Sequence, residues 1–378
     1  MKPLRVCHIA MGDLWAGAEV QLLTLAAELA KSSQLALDII LFNEGRLADE
    51  LRTLGLPVTV YPESSLGTWQ LLGAVTDYCR PKQFDLLHVH KYKDTLVGAL
   101  TAMRCCVPRV VRTVHGLSEP FAGVQAMKMY AYEAVDGAII KAKVDRVICV
   151  SAQITEALQG RYGRDRVRQI HNGIRLETVV ARVGREAICS RIGVQPHAQL
   201  VGIVGRLTAV KGHADFLVAA ESVARQCAQA EFVVVGDGPL LPTLKAQAAS
   251  LGIAGRVHFV GHRDDTYDFM RALDAFVLPS LHEGIPMVLL EAMALSRPII
   301  ASDVGGIPEV IRRDIDGILV PARNPGAVAS ACLSVLTDTL RAAQLGASAR
   351  TRVEQSFSAG AMAAQVLGLY QELVPRSA

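Results

Sequence analysis

The sequence has few aromatic residues, little net charge and no long apolar run. Aromatic residues make up 5% of its 378 residues, and 39 basic against 36 acidic side chains leave a formal net charge of +3. This charge is too small for a dedicated nucleic-acid binder, whose footprint is a strongly basic domain. No apolar run approaches the roughly 18 residues that a membrane-spanning helix needs. The apolar stretch within residues 1–10 is short, which predicts a core strand and not a secretion signal.

Paired-cysteine motifs are also missing. The eight cysteines are scattered, with no C-x-x-C and no Cys/His spacing typical of a zinc site. Most have apolar neighbours, where a free thiol behaves as a small hydrophobe. We therefore expect unpaired thiols and a reducing, cytoplasmic location.

The sequence is rich in apolar residues, at 51%, spread over alternating strand-like and helical segments. This alternation is typical of parallel sheets covered on both faces by helices. One series runs from Leu4 to Val150, and a second begins at Leu200, after the turn signal Asn172-Gly173. We predict two Rossmann-like α/β domains, 1–172 and 173–350, facing each other across a cleft, with one helix over 351–373. Ligands of such sheets bind beyond the carboxyl ends of the strands.

The most informative segment is the loop and helix start at 279–292. Pro286 stands where a helix is expected to begin, and proline suits a first helical turn. Gly284 allows a ligand to approach the backbone closely. Free N–H groups at a helix start bind phosphate. Those expected to face a phosphate belong to Ile285, Met287 and Val288.

Two carboxylates flank this predicted phosphate site. Glu283 directly precedes Gly284, and Glu291 lies further along the helix. Such carboxylates would bind hydroxyl groups of a sugar on one side and of a ribose on the other. The alternative is an ordinary helix start, with one acidic residue near its positive end and one solvent-facing glutamate.

Two other loops follow predicted strands. The first contains Gly205, Arg206 and Lys211, and its two cations together would neutralise a diphosphate. Two ordinary surface cations are the alternative. The second contains Gly236 but lacks the full G-x-G-x-x-G fingerprint, which disfavours a dinucleotide site. It is either a simple turn or a place where a nucleotide lies near the backbone.

A nominal D-x-D pattern occurs at Asp314-Ile315-Asp316. It lies among arginines before a predicted strand, and we interpret it as a solvated turn. Hard cations need several oxygen ligands, and the sequence offers no second carboxylate cluster nearby. We predict no metal site.

Together these motifs resemble the retaining GT-B glycosyltransferases of family 4, the glycosyl transferases group 1. The resemblance covers nearly the whole chain and is most specific from Gly205 to Gly317. The family's E-x7-E motif is present as Glu283 and Glu291. Its Gly-Arg-Leu…Lys-Gly element is 205–212, and 303–309 and 316–317 match downstream signatures. The resemblance implies the GT-B fold, with segment 351–378 crossing back to the N-terminal domain.

The resemblance also implies roles for these residues. Arg206 and Lys211 would bind the donor diphosphate. Glu283 would contact the transferred sugar, and Glu291 the nucleotide ribose. The N-terminal domain would bind the acceptor and the C-terminal domain the donor.

Four residues outside these loops also match family positions. Gly17, within Ala16-Gly17-Ala18-Glu19, matches a glycine-rich loop at the donor phosphate. His115 ends a predicted strand and is either a donor-sugar contact or a polar turn residue. His262 and Arg263 belong to a segment that contacts the base, largely through its backbone. Apart from the resemblance, His90 is the preferred residue for an acceptor pocket, and strand alternation leaves His88 as the alternative.

The implied activity is metal-independent transfer of a sugar, with retention, from a UDP- or GDP-sugar to an acceptor hydroxyl. No cofactor beyond this substrate is expected. The acceptor would be a glycan or glycolipid of cell-surface polysaccharide or lipopolysaccharide synthesis. Two alternatives are a GT-B sugar-nucleotide epimerase and a non-catalytic sugar-nucleotide-binding partner.

Basic residues near apolar stretches bear on location. They are Lys128, Lys141, Lys143 and Arg146. A solvated helix face explains them, and peripheral contact with the inner face of an anionic membrane is the alternative.

Overall fold

The computed structural model describes residues 2–13, 15–116, 134 and 136–375. The chain divides into two compact units, the first from Met1–Gly173 with Ala359–Ala378 and the second from Ile174–Ser358. The sequence placed these divisions after residue 172 and at residue 351.

The first unit is built on a parallel sheet. Its strands are β1 (Leu4–Ala10), β2 (Leu35–Leu41), β3 (Val58–Val60), β4 (Leu86–Val89), β5 (Arg109–Val114), β6 (Arg146–Cys149) and β7 (Val167–Gln169). They lie in the order β3-β2-β1-β4-β5-β6-β7. β1 and β4 are buried along almost their whole length, as expected for strands covered on both faces.

Helices connect these strands. They are α1 (Gly17–Leu29), α2 (Arg46–Thr53), α3 (Thr68–Lys82), α4 (Tyr92–Cys105), α5 (residues 136–143) and α6 (Ala152–Tyr162). Ser151 caps α6, because its hydroxyl accepts the Ile154 N–H at 3.4 Å.

The second unit has its own parallel sheet. Its strands are β8 (Gln199–Val204), β9 (Ala230–Val235), β10 (Val257–Gly261), β11 (Ala275–Leu278), β12 (Ile299–Ser302) and β13 (Ile318–Val320). Their order is β10-β9-β8-β11-β12-β13. The helices are α7 (Arg185–Ile192), α8 (His213–Gln226), α9 (Leu241–Ser250), α10 (Thr266–Ala272), α11 (Met287–Ala294), α12 (Ile307–Val310), α13 (Pro325–Thr337) and α14 (Thr339–Ser356). The prediction of two Rossmann-like α/β units is confirmed.

The last helix, α15 (Ala359–Leu373), belongs to the first unit and packs against α1. The single helix predicted over 351–373 is therefore wrong, because the backbone leaves the helical region at Phe357. Val353 is buried in the second unit and Met362 in the first. The apolar spacing continues across the break because both segments bury a face, each in a different unit.

Among the helices of the described ranges, none is both long enough and apolar enough to cross a membrane. All eight cysteines fall within those ranges and are free thiols, in agreement with their scattered spacing.

Candidate functional site

The predicted donor residues of the second unit gather at one edge of its sheet. β9, β8, β11 and β12 are neighbours and run parallel, so the loops after their carboxyl ends emerge side by side. These loops begin at Gly236, Gly205, Pro279 and Asp303. The topology therefore brings together motifs that lie far apart in the sequence.

Lys211 and Glu283 form the ionic centre of this edge. The Lys211 ammonium donates to Glu283 Oε1 at 2.6 Å, and Glu283 is only 8% exposed. Their loops are tied by a hydrogen bond from the Leu281 N–H to the Val210 carbonyl, at 2.7 Å. The Lys211 side chain keeps 25% of its surface exposed, so the ammonium is held in place while part of the side chain still faces outward.

Backbone crossings fix the positions of these loops. Gly305 has φ +59°, and a Cβ there would lie 1.8 Å from the Glu283 carbonyl oxygen. Gly236 has φ +137°, and a Cβ there would lie 2.0 Å from the Gly205 carbonyl oxygen. These glycines allow protein backbone, and not only a ligand, to approach. Sequence analysis singled out Gly236 as a turn or a nucleotide contact, but it did not predict the close approach of the Gly205 backbone.

Pro286 immediately precedes α11, with extended backbone at φ −73° and ψ 128°. Met287 and Val288 are the first two helical residues, and first-turn N–H groups have no partner within a helix. The Leu289 N–H is already bonded to the Pro286 carbonyl at 3.1 Å. Ile285 and Met287 are each 3% exposed, so their side chains pack inward beneath this turn.

Glu291 lies in α11, one turn beyond its start, and is half-buried. Burial raises the pKa of its carboxyl to about 7, and a hydrogen bond from the Tyr267 hydroxyl at 3.3 Å partly opposes the rise. The alternative of a solvent-facing glutamate is therefore wrong. Sequence reasoning missed Tyr267, although it follows the predicted base-contacting segment by only a few residues.

The other predicted donor residues differ in how they are held. Arg206 is exposed, and no hydrogen bond or ion pair to the described residues holds its guanidinium. Arg263 forms a two-point ion pair with Asp265, at 2.7 and 2.9 Å, so its side chain is occupied. His262 is exposed beside it. Any base contact at 262–263 therefore falls to the backbone or His262.

The interpretation of the D-x-D pattern as a solvated turn is wrong for Asp316. Asp316 is fully buried, and its two carboxylate oxygens each accept a 2.7 Å hydrogen bond from the Arg312 guanidinium. The Arg312 backbone N–H also donates to this carboxylate, at 3.1 Å. Asp316 therefore stabilises its own turn.

In the first unit, His115 follows β5 and is half-buried. Its Nε2 lies 3.3 Å from His90 Nδ1, and burial lowers its pKa to about 3, so the ring is neutral. The sequence placed His90 at an acceptor pocket, but the structure buries it between His115 and His8. Strand alternation shows which face a residue is on, and not what covers that face.

The α1 start and β4 end also lie at the carboxyl edge of this sheet. Gly17 is the first residue of α1, and the buried carboxylate of Glu19 accepts a 2.7 Å hydrogen bond from the Lys91 ammonium.

Of the basic residues considered for a membrane face, Lys141 and Lys143 are exposed, and Arg146 pairs with Glu372 at 3.1 Å. Lys128 lies outside the described residues.

Comparison with known proteins identifies the family. Residues 198–338 match the model of the glycosyl transferases group 1, and residues 15–178 match that of glycosyltransferase family 4. The alpha-maltose-1-phosphate synthase of Mycolicibacterium smegmatis is 31% identical over 76% of this chain and 79% of its own length. The chain therefore belongs to the family 4 glycosyltransferases, and it is a glycosyltransferase.

Two further comparisons extend over almost the whole chain. An Escherichia coli protein named UDP-Gal:alpha-D-GlcNAc-diphosphoundecaprenol alpha-1,3-galactosyltransferase is 24% identical over 98% of this chain and 97% of its own. The crystal structure of Anabaena Alr3699/HepE in complex with UDP-glucose has a TM-score of 0.86 at 22% identity, covering 98% of this chain and all of that one. These likenesses confirm the GT-B fold class.

Proposed function

We propose that this glycosyltransferase moves a sugar from a nucleoside diphosphate sugar to an acceptor hydroxyl, with retention of the anomeric configuration. The observation that carries the proposal is the preformed Lys211–Glu283 pair, 2.6 Å apart, on loops next to the start of α11. Cations and free N–H groups at one sheet edge are what a diphosphate leaving group requires. In this proposal the second unit binds the donor and the first unit binds the acceptor.

In the reaction, the bond from the sugar's anomeric carbon to the diphosphate oxygen breaks, and a bond to the acceptor oxygen forms. Lys211, Arg206 and the N–H groups of Met287 and Val288 stabilise the negative charge that develops on the leaving oxygen. The acceptor's proton passes to that phosphate oxygen on the same face of the sugar, which accounts for retention. Glu283 is already paired with Lys211, so we assign it to sugar hydroxyls and not to nucleophilic attack.

A UDP-sugar is the preferred donor in this proposal. The name of the E. coli relative specifies UDP-Gal and a GlcNAc-diphosphoundecaprenol acceptor, and the Anabaena structure contains UDP-glucose. Both support a UDP-hexose over a GDP-sugar. The E. coli name also supports a glycolipid acceptor. We propose that this acceptor belongs to cell-surface polysaccharide synthesis and is reached from the cytoplasm, with peripheral contact to the membrane.

The test is transfer from UDP-galactose or UDP-glucose to an α-GlcNAc-diphospho-lipid, with the new linkage read by NMR. We expect an α-linked product, transfer unaffected by EDTA, and turnover reduced about 100-fold or more in Lys211→Ala. Lys245→Ala, an exposed lysine on α9, is the matched control and should keep normal activity.

Three results would contradict the proposal. A β-linked product would exclude retention. An isomerised sugar formed from donor alone would indicate an epimerase. Donor binding without nucleotide release across a panel of acceptors would indicate a non-catalytic partner.

A further inference from the structure

The first unit contains a buried row of histidines that the proposed reaction does not use. His8 on β1 and His88 on β4 are partners across the two strands, and His90 follows two residues later, just beyond the end of β4. All three are 5% exposed or less. Tyr370 on α15 is fully buried against His8 and His88.

Hydrogen bonds join this row into one chain, which we name the histidine chain. Its members, in order, are Thr113, His88, Tyr370, His8, His90 and His115. Its successive bonds are Thr113 Oγ1–His88 Nε2 at 2.8 Å, His88 Nδ1–Tyr370 Oη at 2.5 Å, Tyr370 Oη–His8 Nε2 at 3.1 Å, His8 Nδ1–His90 Nε2 at 3.2 Å and His90 Nδ1–His115 Nε2 at 3.3 Å.

Every histidine of the chain is neutral, because burial lowers its pKa, to about 3 for His8 and His115 and well below the usual value for His88 and His90. A neutral imidazole has one donor nitrogen and one acceptor nitrogen, and a hydroxyl has one proton to donate. Each bond therefore fixes the direction of the next. The chain has only two directions, and in each direction all four histidines carry their proton on the same kind of nitrogen.

The two ends of the chain differ. In one direction the Thr113 hydroxyl donates, all four histidines are protonated on Nδ1, and the last N–H is that of His115 Nδ1. In the other direction all four are protonated on Nε2, and the Thr113 hydroxyl proton has no acceptor in the part of the chain that the structure describes. Among the described residues His115 Nδ1 is buried without a partner, and the Thr113 hydroxyl has only His88. An acceptor oxygen placed at His115 Nδ1 would satisfy every donor of the first direction.

We infer that Tyr370 is a positioning residue, which acts through the histidine chain to present an N–H of His115 to an oxygen of the bound substrate. This inference rests on the proposed function, with His115 taken as the donor-sugar contact that the family resemblance implies. The hydroxyl of Tyr370 is the link between His88 and His8. Through this link, the choice of the His115 nitrogen that carries the proton depends on Thr113 at the opposite end of the histidine chain.

A metal ion is the competing interpretation of the same residues. Single ring nitrogens of His8, His88 and His90 lie within 4.8 Å of one another, close enough to hold an ion. However, both ring nitrogens of each of these histidines already have a hydrogen-bond partner. The observed bonds favour the hydrogen-bonded chain.

Imidazole nitrogen NMR on the isotope-labelled, ligand-free enzyme tests the chain directly. We expect His8, His88, His90 and His115 to show one common fraction of the Nδ1-protonated form. In Tyr370→Phe, the Nδ1-protonated fraction of His88 should differ from the fraction that the other three histidines share. Thr113→Val removes an end and not a link, so it should shift all four fractions together.

Tyr162→Phe is the control, since this buried tyrosine of the same unit contributes no bond to the chain. Unequal fractions in the native enzyme, or a common fraction that survives Tyr370→Phe, would overturn the inference. Stoichiometric zinc uptake that is lost in His88→Gln would overturn it in favour of a metal site.

The functional arm uses UDP-galactose with the lipid acceptor. Substrate should move all four histidines toward the Nδ1-protonated form, and Tyr370→Phe should lower kcat about fivefold with little change in KM. A purely structural tyrosine would lower the melting temperature without separating His88 from the other histidines. If the common fraction is observed and no sugar is transferred, the proposed function fails and the chain stands.

Discussion

At the scale of single residues, the proposed binding of a diphosphate rests on the pair formed by Lys211 and Glu283. Glu283 is buried and holds the ammonium of Lys211 at 2.6 Å, so the lysine loses little further freedom when a ligand arrives. Arg206, on the same loop as Lys211, is exposed and has no partner among the described residues. The pair thus orients Lys211, while Arg206 remains available to the proposed ligand.

Glu291 provides a pH-dependent prediction at the same scale. Its pKa rises from 4.5 to about 7 in the folded protein because burial disfavours the charged form. Between these values the Glu291 carboxyl binds more protons in the folded state than in the unfolded state, so its contribution to stability falls as the pH rises through this window and levels off above it. The full effect is on the order of 3 kcal/mol.

Thermal unfolding between pH 5 and pH 8 checks this prediction. We expect the stability of Glu291→Gln to rise relative to that of the native protein across this range, since the amide does not ionise. Glu186→Gln, which changes an exposed glutamate of the same unit, should keep a constant difference in stability from the native protein. Equal slopes for the native protein and Glu291→Gln would show that Glu291 is ionised in the fold.

At the scale of elements, the site depends on loops whose backbones touch. A Cβ at Gly305 would lie 1.8 Å from the Glu283 carbonyl oxygen, and its φ of +59° also disfavours other residues. We expect Gly305→Ala to separate the two loops, lower stability by about 2 kcal/mol or more and reduce transfer at least tenfold. Calorimetric unfolding and turnover measure these effects.

Gly255→Ala is the matched control for this variant. Gly255 lies in a short turn of the same unit, and nothing lies within 4 Å of a Cβ there. It should retain both stability and activity. A Gly305→Ala enzyme with normal activity would mean that the position of Glu283 does not depend on this crossing.

The elements also show what the sequence could and could not predict. Two apolar runs that each end at a glycine predicted the positions of β8 and β9. They therefore also predicted the positions of the loops that contain Lys211 and Gly236. The break at Phe357 was not predictable, because buried residues continue at helical spacing on both sides of it. The histidine chain was not predictable either, because it depends on which strands are neighbours and on a tyrosine far along the chain.

At the scale of the whole molecule, the chain ends by returning to its first unit. Residues of α15 such as Val366 are buried in the core beside α1. We expect Val366→Asp to destabilise the protein by about 3 kcal/mol or more, because it buries an unpaired charge. The neighbouring Gln365 is exposed, so Gln365→Asp should leave the melting temperature nearly unchanged. Equal melting temperatures for the two variants would contradict this packing.

In the proposed function, the carboxyl edge of the second sheet recognises a diphosphate. Isothermal calorimetry with UDP and with uridine tests it most directly, because the two ligands differ only in the diphosphate. The native protein should bind UDP far more tightly than uridine. Lys211→Ala should lower the affinity for UDP roughly tenfold while leaving the affinity for uridine unchanged. An undiminished preference for UDP in the Lys211→Ala protein would contradict the account.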